Sequence, residues 1–246
     1  MTIIQFKNVC KDYRTHRILD HIDLQIEPGE FFGLVGVNGA GKTTLIKSLL
    51  DLCEIQQGNI YLFGLSHTNY NARTHLSFLP EHFIPPYYLT GQNFLAYTAR
   101  LQNQTFVLDR AYEICRTLDF AVTALTQPVQ DYSKGMAQKL GLIASILSSK
   151  SLLVWDEPMS GLDPKARAYL KNYLLSLKGQ GKTLFFSTHL LPDVEALCDR
   201  MAILHEGRLK FVGTPAECCS LFATSNLEQA YLNCIEQHEE NKFVTA

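Results

Sequence analysis

The stretch FFGLVGVNGAGKTTLIKSLLDL, residues 31–52, changes character twice. Phe31 to Val35 is a continuous apolar run, the mark of a strand covered on both faces. Thr43 to Leu52 carries apolar residues at helical spacing. Between them lies Gly36-Val37-Asn38-Gly39-Ala40-Gly41-Lys42-Thr43-Thr44, which fits the pattern of a phosphate-binding loop at the place such a loop requires, between a buried strand and a helix. Its glycines let backbone N–H groups turn inward around phosphate oxygens. The helix that starts near Lys42 adds its positive end, Lys42 neutralises the β and γ oxygens, and the Thr43 hydroxyl can ligate Mg²⁺. The loop predicts binding of ATP with Mg²⁺, and its flanks predict an α/β chain with a P-loop NTPase core.

Working outward, Leu152-Leu153-Val154-Trp155-Asp156-Glu157 reads as a second buried strand, ending in two carboxylates. Strand ends in such sheets face the ligand crevice, so Asp156 can join the Mg²⁺ shell while Glu157 takes a proton from an attacking water. An acidic pair at a strand end also fits a simple helix cap. Thr183 to Ser187 and Met201 to Leu204 are further short apolar strands separated by helical stretches, the rhythm of a mostly parallel sheet. Towards the N-terminus, Ile3 to Val9 and Leu19 to Ile26 alternate polar and apolar residues before the turn Glu27-Pro28-Gly29-Glu30, which predicts an antiparallel subdomain. Residues 82–150 read as an inserted helical block, with amphipathic stretches at Thr90 to Leu101, Val107 to Leu118 and Lys134 to Leu147. The expected organisation is a core domain over 1–220 and a tail over 221–246 of short helices, with the acidic stretch Glu236 to Glu240.

Composition narrows the function classes. Twenty-two basic against 24 acidic residues give a net charge of -2, with no field to attract nucleic acid or an anionic membrane. No stretch reaches the roughly 18 apolar residues of a spanning helix, and MTIIQFKNVCKDY reads as a strand rather than a signal segment, so a cytoplasmic location is expected. The seven cysteines form no C-x-x-C pair and read as free thiols, with Cys218-Cys219 expected on a helix surface. A metal or redox role for them is a minor alternative.

With these residues in place, the chain resembles the nucleotide-binding subunit of ATP-binding cassette (ABC) proteins over residues 1 to 220. Tyr132-Ser133-Lys134-Gly135-Met136 occupies the place of the family signature, Ser160-Gly161-Leu162-Asp163 resembles the D-loop, and Ser187-Thr188-His189 resembles the switch histidine. The resemblance implies ATP hydrolysis, with Glu157, His189 and Lys42 as catalytic residues. It implies a sandwich of two copies, or of one copy and a similar ATPase subunit, in which Ser133 and the Gly135 N–H grip the γ-phosphate bound by the opposite subunit. Ser133 also fits an ordinary N-cap. Tyr13 matches the aromatic on which the family stacks adenine, and equally fits a half-buried sheet.

Two departures stand out. Glu81, in Phe78-Leu79-Pro80-Glu81, replaces the common glutamine, and an ionised carboxylate there accepts hydrogen bonds without donating any. Its place as a Mg²⁺ ligand beside Thr43 and Asp156 is less secure for that reason. The form Ser133-Lys134-Gly135-Met136 resembles the ATPase subunits of ABC-2-type exporters, whose membrane spans lie on a separate chain. That implies an integral-membrane permease as partner and a position on the inner face of the cell membrane. A soluble ABC ATPase working as a regulator or remodelling factor is the alternative, and a non-hydrolysing ATP-binding scaffold ranks behind both.

Overall fold

The structure is a computed structural model that describes the backbone of residues 2–244 and side chains through Glu236. Of the expected acidic stretch only Glu236 has a described side chain, and Thr245 and Ala246 lie outside the described residues. In chain order the strands and helices are β1 (Ile4–Tyr13), β2 (His16–Ile26), β3 (Phe31–Val35), α1 (Lys42–Leu49), β4 (Gln57–Leu62), β5 (Leu65–Ser66), β6 (Leu76–Leu79), α2 (Gly91–Leu101), α3 (Leu108–Thr117), α4 (Lys134–Leu147), β7 (Leu152–Asp156), α5 (Pro164–Leu177), β8 (Thr183–Thr188), α6 (Leu191–Leu197), β9 (Arg200–His205), β10 (Arg208–Gly213), α7 (Pro215–Leu221) and α8 (Leu227–Val244).

They form two sheets. One is antiparallel in the order β2-β1-β4-β5; the other runs β10-β9-β3-β8-β7-β6, parallel except for the β9–β10 pair. Every residue of β3, β7 and β8 is buried, as expected of parallel strands covered on both faces, which is why they read as unbroken apolar runs. Their register is what builds the site. Val35 pairs with Thr188 and Asp156 with Ser187, so the chain leaves β3, β7 and β8 along one edge of the sheet.

The helices start where capping residues allow. Thr90, Ser133 and Asp163 each accept a backbone N–H from the first turn of α2, α4 and α5, and Thr214 with Glu217 forms a capping box on α7. α2, α3 and α4 pack on one face of the larger sheet in a core that includes Phe94, Ile114, Leu140, Trp155 and Phe186. A small polar knot fixes β7 there: Trp155 Nε1 donates to Ser145 Oγ at 2.8 Å, and Ser145 Oγ lies 2.8 Å from Ser77 Oγ on β6.

Three features differ from the sequence expectation. β4, β6 and β10 are strands that periodicity did not single out: β4 and β10 are half-exposed, and β6 is an edge strand of four residues. The C-terminal segment holds one helix of 18 residues rather than only short ones. Cys218 is fully buried with Cys234 in a core shared with Val35 and Leu191, because the face of α7 that carries it packs inward; only Cys219 is partly exposed.

Candidate functional site

The loop after β3 is shaped by two glycines. A Cβ on Gly36 would collide with the carbonyl oxygen of Leu204, and Gly41 caps α1 at φ 111°, a left-handed conformation that side chains rarely adopt. α1 thus opens with no side-chain cap and no acidic residue in its first turn, leaving its N–H groups and positive end available to an anion. Lys42 is buried, and its Nζ donates to the carbonyl oxygens of Gly36 at 2.7 Å and Val37 at 3.2 Å.

Facing it at the end of β7 is Glu157. Its backbone sits at φ 48°, an uncommon place for a residue with a side chain, and it is held there from three sides. Ser187 Oγ accepts the Glu157 N–H at 2.9 Å and donates to Asp156 Oδ1 at 2.5 Å; Glu157 Oε1 pairs with Lys42 Nζ at 3.2 Å, and Oε2 lies 2.9 Å from His189 Nδ1. The Lys42 contact is an ion pair by distance, without hydrogen-bond geometry at Oε1. Lys42 and Glu157 are almost wholly buried whereas the His189 side chain is 48% exposed, so the chain of polar contacts runs from the buried loop to the surface.

A cleft of about 360 Å³ opens over this network, lined by Tyr13, Ile18, Asn38, Gly39, Gly41, Lys42, Thr43, Thr44, Glu81 and Glu157. That volume falls within the ~300–1,000 Å³ usual for small-ligand sites. Ala40 is buried beneath the loop, its N–H given to the Val37 carbonyl at 3.2 Å. Tyr13 stands at the rim, 46% exposed, with Lys11 Nζ 4.7 Å from its ring centroid; burial and the neighbouring Cys53 thiol push its phenol above the usual range. An exposed ring at the mouth of a phosphate-binding cleft offers a stacking face for a base.

Of the three candidate metal ligands, Thr43 and Glu81 line the cleft, whereas Asp156 is buried behind it. The donor set is all oxygen, the chemistry that suits Mg²⁺. Ser187 is the contribution that sequence reasoning missed. It counted only as a neighbour of His189, yet its hydroxyl ties the Glu157 backbone to the Asp156 carboxylate; a serine closing the apolar run of β8 was the available signal.

Ser133 and Gly135 do not join this cleft. Ser133 Oγ caps α4 by accepting the Met136 N–H at 3.2 Å. Both residues line a separate cavity of about 260 Å³ with Lys139, Leu162 and Asp163. Asp163 caps α5 by accepting the Ala166 N–H at 2.8 Å, which holds its carboxyl below the usual range. Among the described residues one group has ligand atoms close enough for a metal ion, Cys10, Asp20 and His21, but Asp20 is already paired with Arg17 at 3.1 Å and Arg208 at 2.5 Å. No arrangement there favours a further cation.

Comparison with known proteins agrees with this geometry. Residues 19–160 match the family described as ABC transporter. An uncharacterized ABC transporter ATP-binding protein of Synechocystis sp. is 37% identical over 226 residues, covering 87% of this chain and 64% of that protein. The Nod factor export ATP-binding protein I of Cupriavidus metallidurans is 33% identical over 223 residues, covering 87% and 72%. The chain therefore spans less than two thirds of the length of the Synechocystis relative. A solved structure described as the ATP binding subunit of an ABC transporter superposes with a TM-score of 0.88 at 28% identity, over 95% of this chain and all of the other.

Proposed function

The chain belongs to the ABC transporter family, and from that premise we propose that it is a subunit that binds and hydrolyses ATP to drive a separate membrane permease. The observation that carries the proposal is the convergence of Lys42, Glu157 and His189 at the mouth of the phosphate loop. The ammonium of Lys42 rests on two carbonyls and a carboxylate. Phosphate oxygens offer that ammonium stronger partners, and Glu157, freed from Lys42, can accept a proton from the attacking water while Ser187 keeps its backbone in place. His189, already bonded to Glu157, is at the edge where it can meet the γ-phosphate. Bound Mg²⁺ would neutralise the β and γ oxygens, with Thr43, Asp156 and Glu81 as its side-chain ligands.

Half of the machinery lies elsewhere on the chain. Ser133 and Gly135 head α4 in their own cavity, so a γ-phosphate gripped by them belongs to another subunit, and two sites complete one another in a head-to-tail pair. This reading takes residues 1–220 as the ATPase domain, with 82–150 inserted and 221–246 as a tail.

The permease partner and the export direction are supported by the Ser133-Lys134-Gly135-Met136 signature and by the likeness to a Nod factor export subunit. Beside Glu81 an apolar groove runs along Phe83, Ile84, Tyr87 and Tyr132, with Ile84 86% and Tyr87 70% exposed, a surface suited to a helix of the partner. No described helix is long and apolar enough to cross a membrane. Detergent extraction of the tagged chain from its native membranes should recover a multi-span protein; repeated recovery of the chain alone would favour a soluble ABC ATPase acting as a regulator.

A further inference from the structure

Glu157 stands on a stretch of chain that one helix grips on either side of it. Trp155, two residues before, donates from Nε1 to Ser145 Oγ of α4 at 2.8 Å. Pro158, one residue after, accepts at its carbonyl oxygen from Gln138 Nε2 of the same helix at 3.2 Å. Gln138 and Ser145 lie seven residues apart, two turns along one face of α4. Nearer the head of that helix, a Cβ on Gly135 would stand 3.1 Å from the carbonyl oxygen of Gly161. Helix α4 therefore follows the chain closely from the end of β7 to Gly161.

Of these contacts, the one from Gln138 is not explained by packing. The residue is 4% exposed, on a helix whose other buried positions include Leu140, Leu142, Ile143 and Ile146. A leucine or methionine would fill that space without burying an amide. What the amide supplies is a donor to the Pro158 carbonyl, where the chain belongs to no regular element: β7 ends at Asp156 and α5 begins at Pro164. There Glu157 holds φ 48°, a conformation that persists only where the surroundings impose it. Ser187 Oγ takes its N–H at 2.9 Å, and the Ser160 N–H reaches back to its carbonyl at 3.0 Å. The pyrrolidine ring fixes the φ of Pro158, so pinning that residue's carbonyl leaves the peptide between Glu157 and Pro158 little freedom to turn.

We propose that Gln138 is a positioning residue for Glu157. Its amide, acting through the Pro158 carbonyl, keeps the Glu157 carboxylate at the cleft, so the helix headed by Ser133 also sets the base of its own chain. The proposal rests on the reading of Glu157 as the base in ATP hydrolysis. Gln138 does not line the phosphate cleft, so its effect falls on the chemical step rather than on nucleotide binding.

The test is Gln138→Met in the full chain, a substitution that keeps volume and helix propensity and removes the donor. Steady-state assays should show kcat lower by about tenfold, with the ATP KM and the affinity for a fluorescent ATP analogue within about twofold. In a Glu157→Gln background the same substitution should lower the residual turnover by less than about twofold, because the group it positions is already gone. The Ser160 amide should exchange several-fold faster, while exchange in the buried strand β3 is unchanged. A wild-type kcat overturns the proposal, and so does an equal fall in both backgrounds, the mark of a general structural loss. Where methionine does not fold, Gln138→Leu carries the same reading. If Glu157→Gln alone turns ATP over at the wild-type rate, the reading of Glu157 as the base fails instead, and Ser160 exchange in Gln138→Met still decides whether Gln138 holds that segment.

Discussion

The phosphate-loop cleft and the head of α4 are both built from helix N-termini, yet they are finished differently. At the loop, Gly41 offers no side-chain cap, and the head of α1 faces a cleft where Glu157 contacts both Lys42 and His189. At α4, Ser133 satisfies the helix itself, and the adjacent cavity holds Lys139, Asp119 and Asp163, with Asp163 engaged in capping α5. The first region has the groups for chemistry and the second has groups for recognition only. Their separation on one chain is what makes a second subunit necessary to the account.

Breaking the first region should have the largest effect. Lys42→Ala removes the cation that the loop carbonyls and Glu157 position, and equilibrium binding should show ATP affinity reduced by two orders of magnitude or more. Unchanged affinity would count against the loop as the nucleotide site. Glu157→Gln keeps the shape but removes the carboxylate proposed as the base; turnover should fall roughly 10²–10⁴-fold with ATP still bound.

Breaking the second region should be milder and of a different kind. Ser133→Ala should leave the affinity of the single chain for ATP within about twofold, while turnover falls about tenfold and becomes more dependent on protein concentration. The lost cap adds a stability cost of about 1 kcal/mol, readable in a denaturant titration. Equal damage to monomer binding and to turnover would mean that the two regions form one site within a chain.

The link between the regions can be tested by stability. Lys171 on α5, the helix that Asp163 opens, pairs at 2.5 Å with Asp193 on α6, the helix that follows His189, and Asp193 is 3% exposed. Lys171→Met leaves that carboxylate buried without its cation and should cost about 3 kcal/mol in chemical denaturation, while Lys171→Met with Asp193→Leu should recover most of it. Failure of the double substitution to recover would show that the pair is not an isolated contact.

The smallest effect concerns the thiols. Burial pushes Cys115 and Cys234 up to about 11 and Cys218 up to about 12, so at pH 8 they stay protonated and covered. Partly exposed Cys53 and Cys219 should react first with a thiol reagent in the folded chain.

Much of the cleft was legible because its residues are contiguous. Phe31 to Val35 and Lys134 to Leu147 match β3 and α4 to the residue, since a fully buried strand and a capped amphipathic helix both write strong periodicities. Strands β4 and β10 write weak ones, because half-exposed segments mix polar and apolar residues without clean alternation. Ser187 was hidden for another reason. It acts on residues distant in sequence, Asp156 and Glu157, and only the register of β7 with β8 brings it there. Cys218 was misread for the same cause, since which face of α7 turns inward is set by α8.

The central claim is that one chain holds half of each catalytic site. Sedimentation of Glu157→Gln at micromolar concentration, with and without ATP and Mg²⁺, tests it most directly. The account predicts a monomer without nucleotide and a stable dimer with it, abolished by adding Ser133→Ala. A chain that binds ATP yet remains monomeric would contradict it.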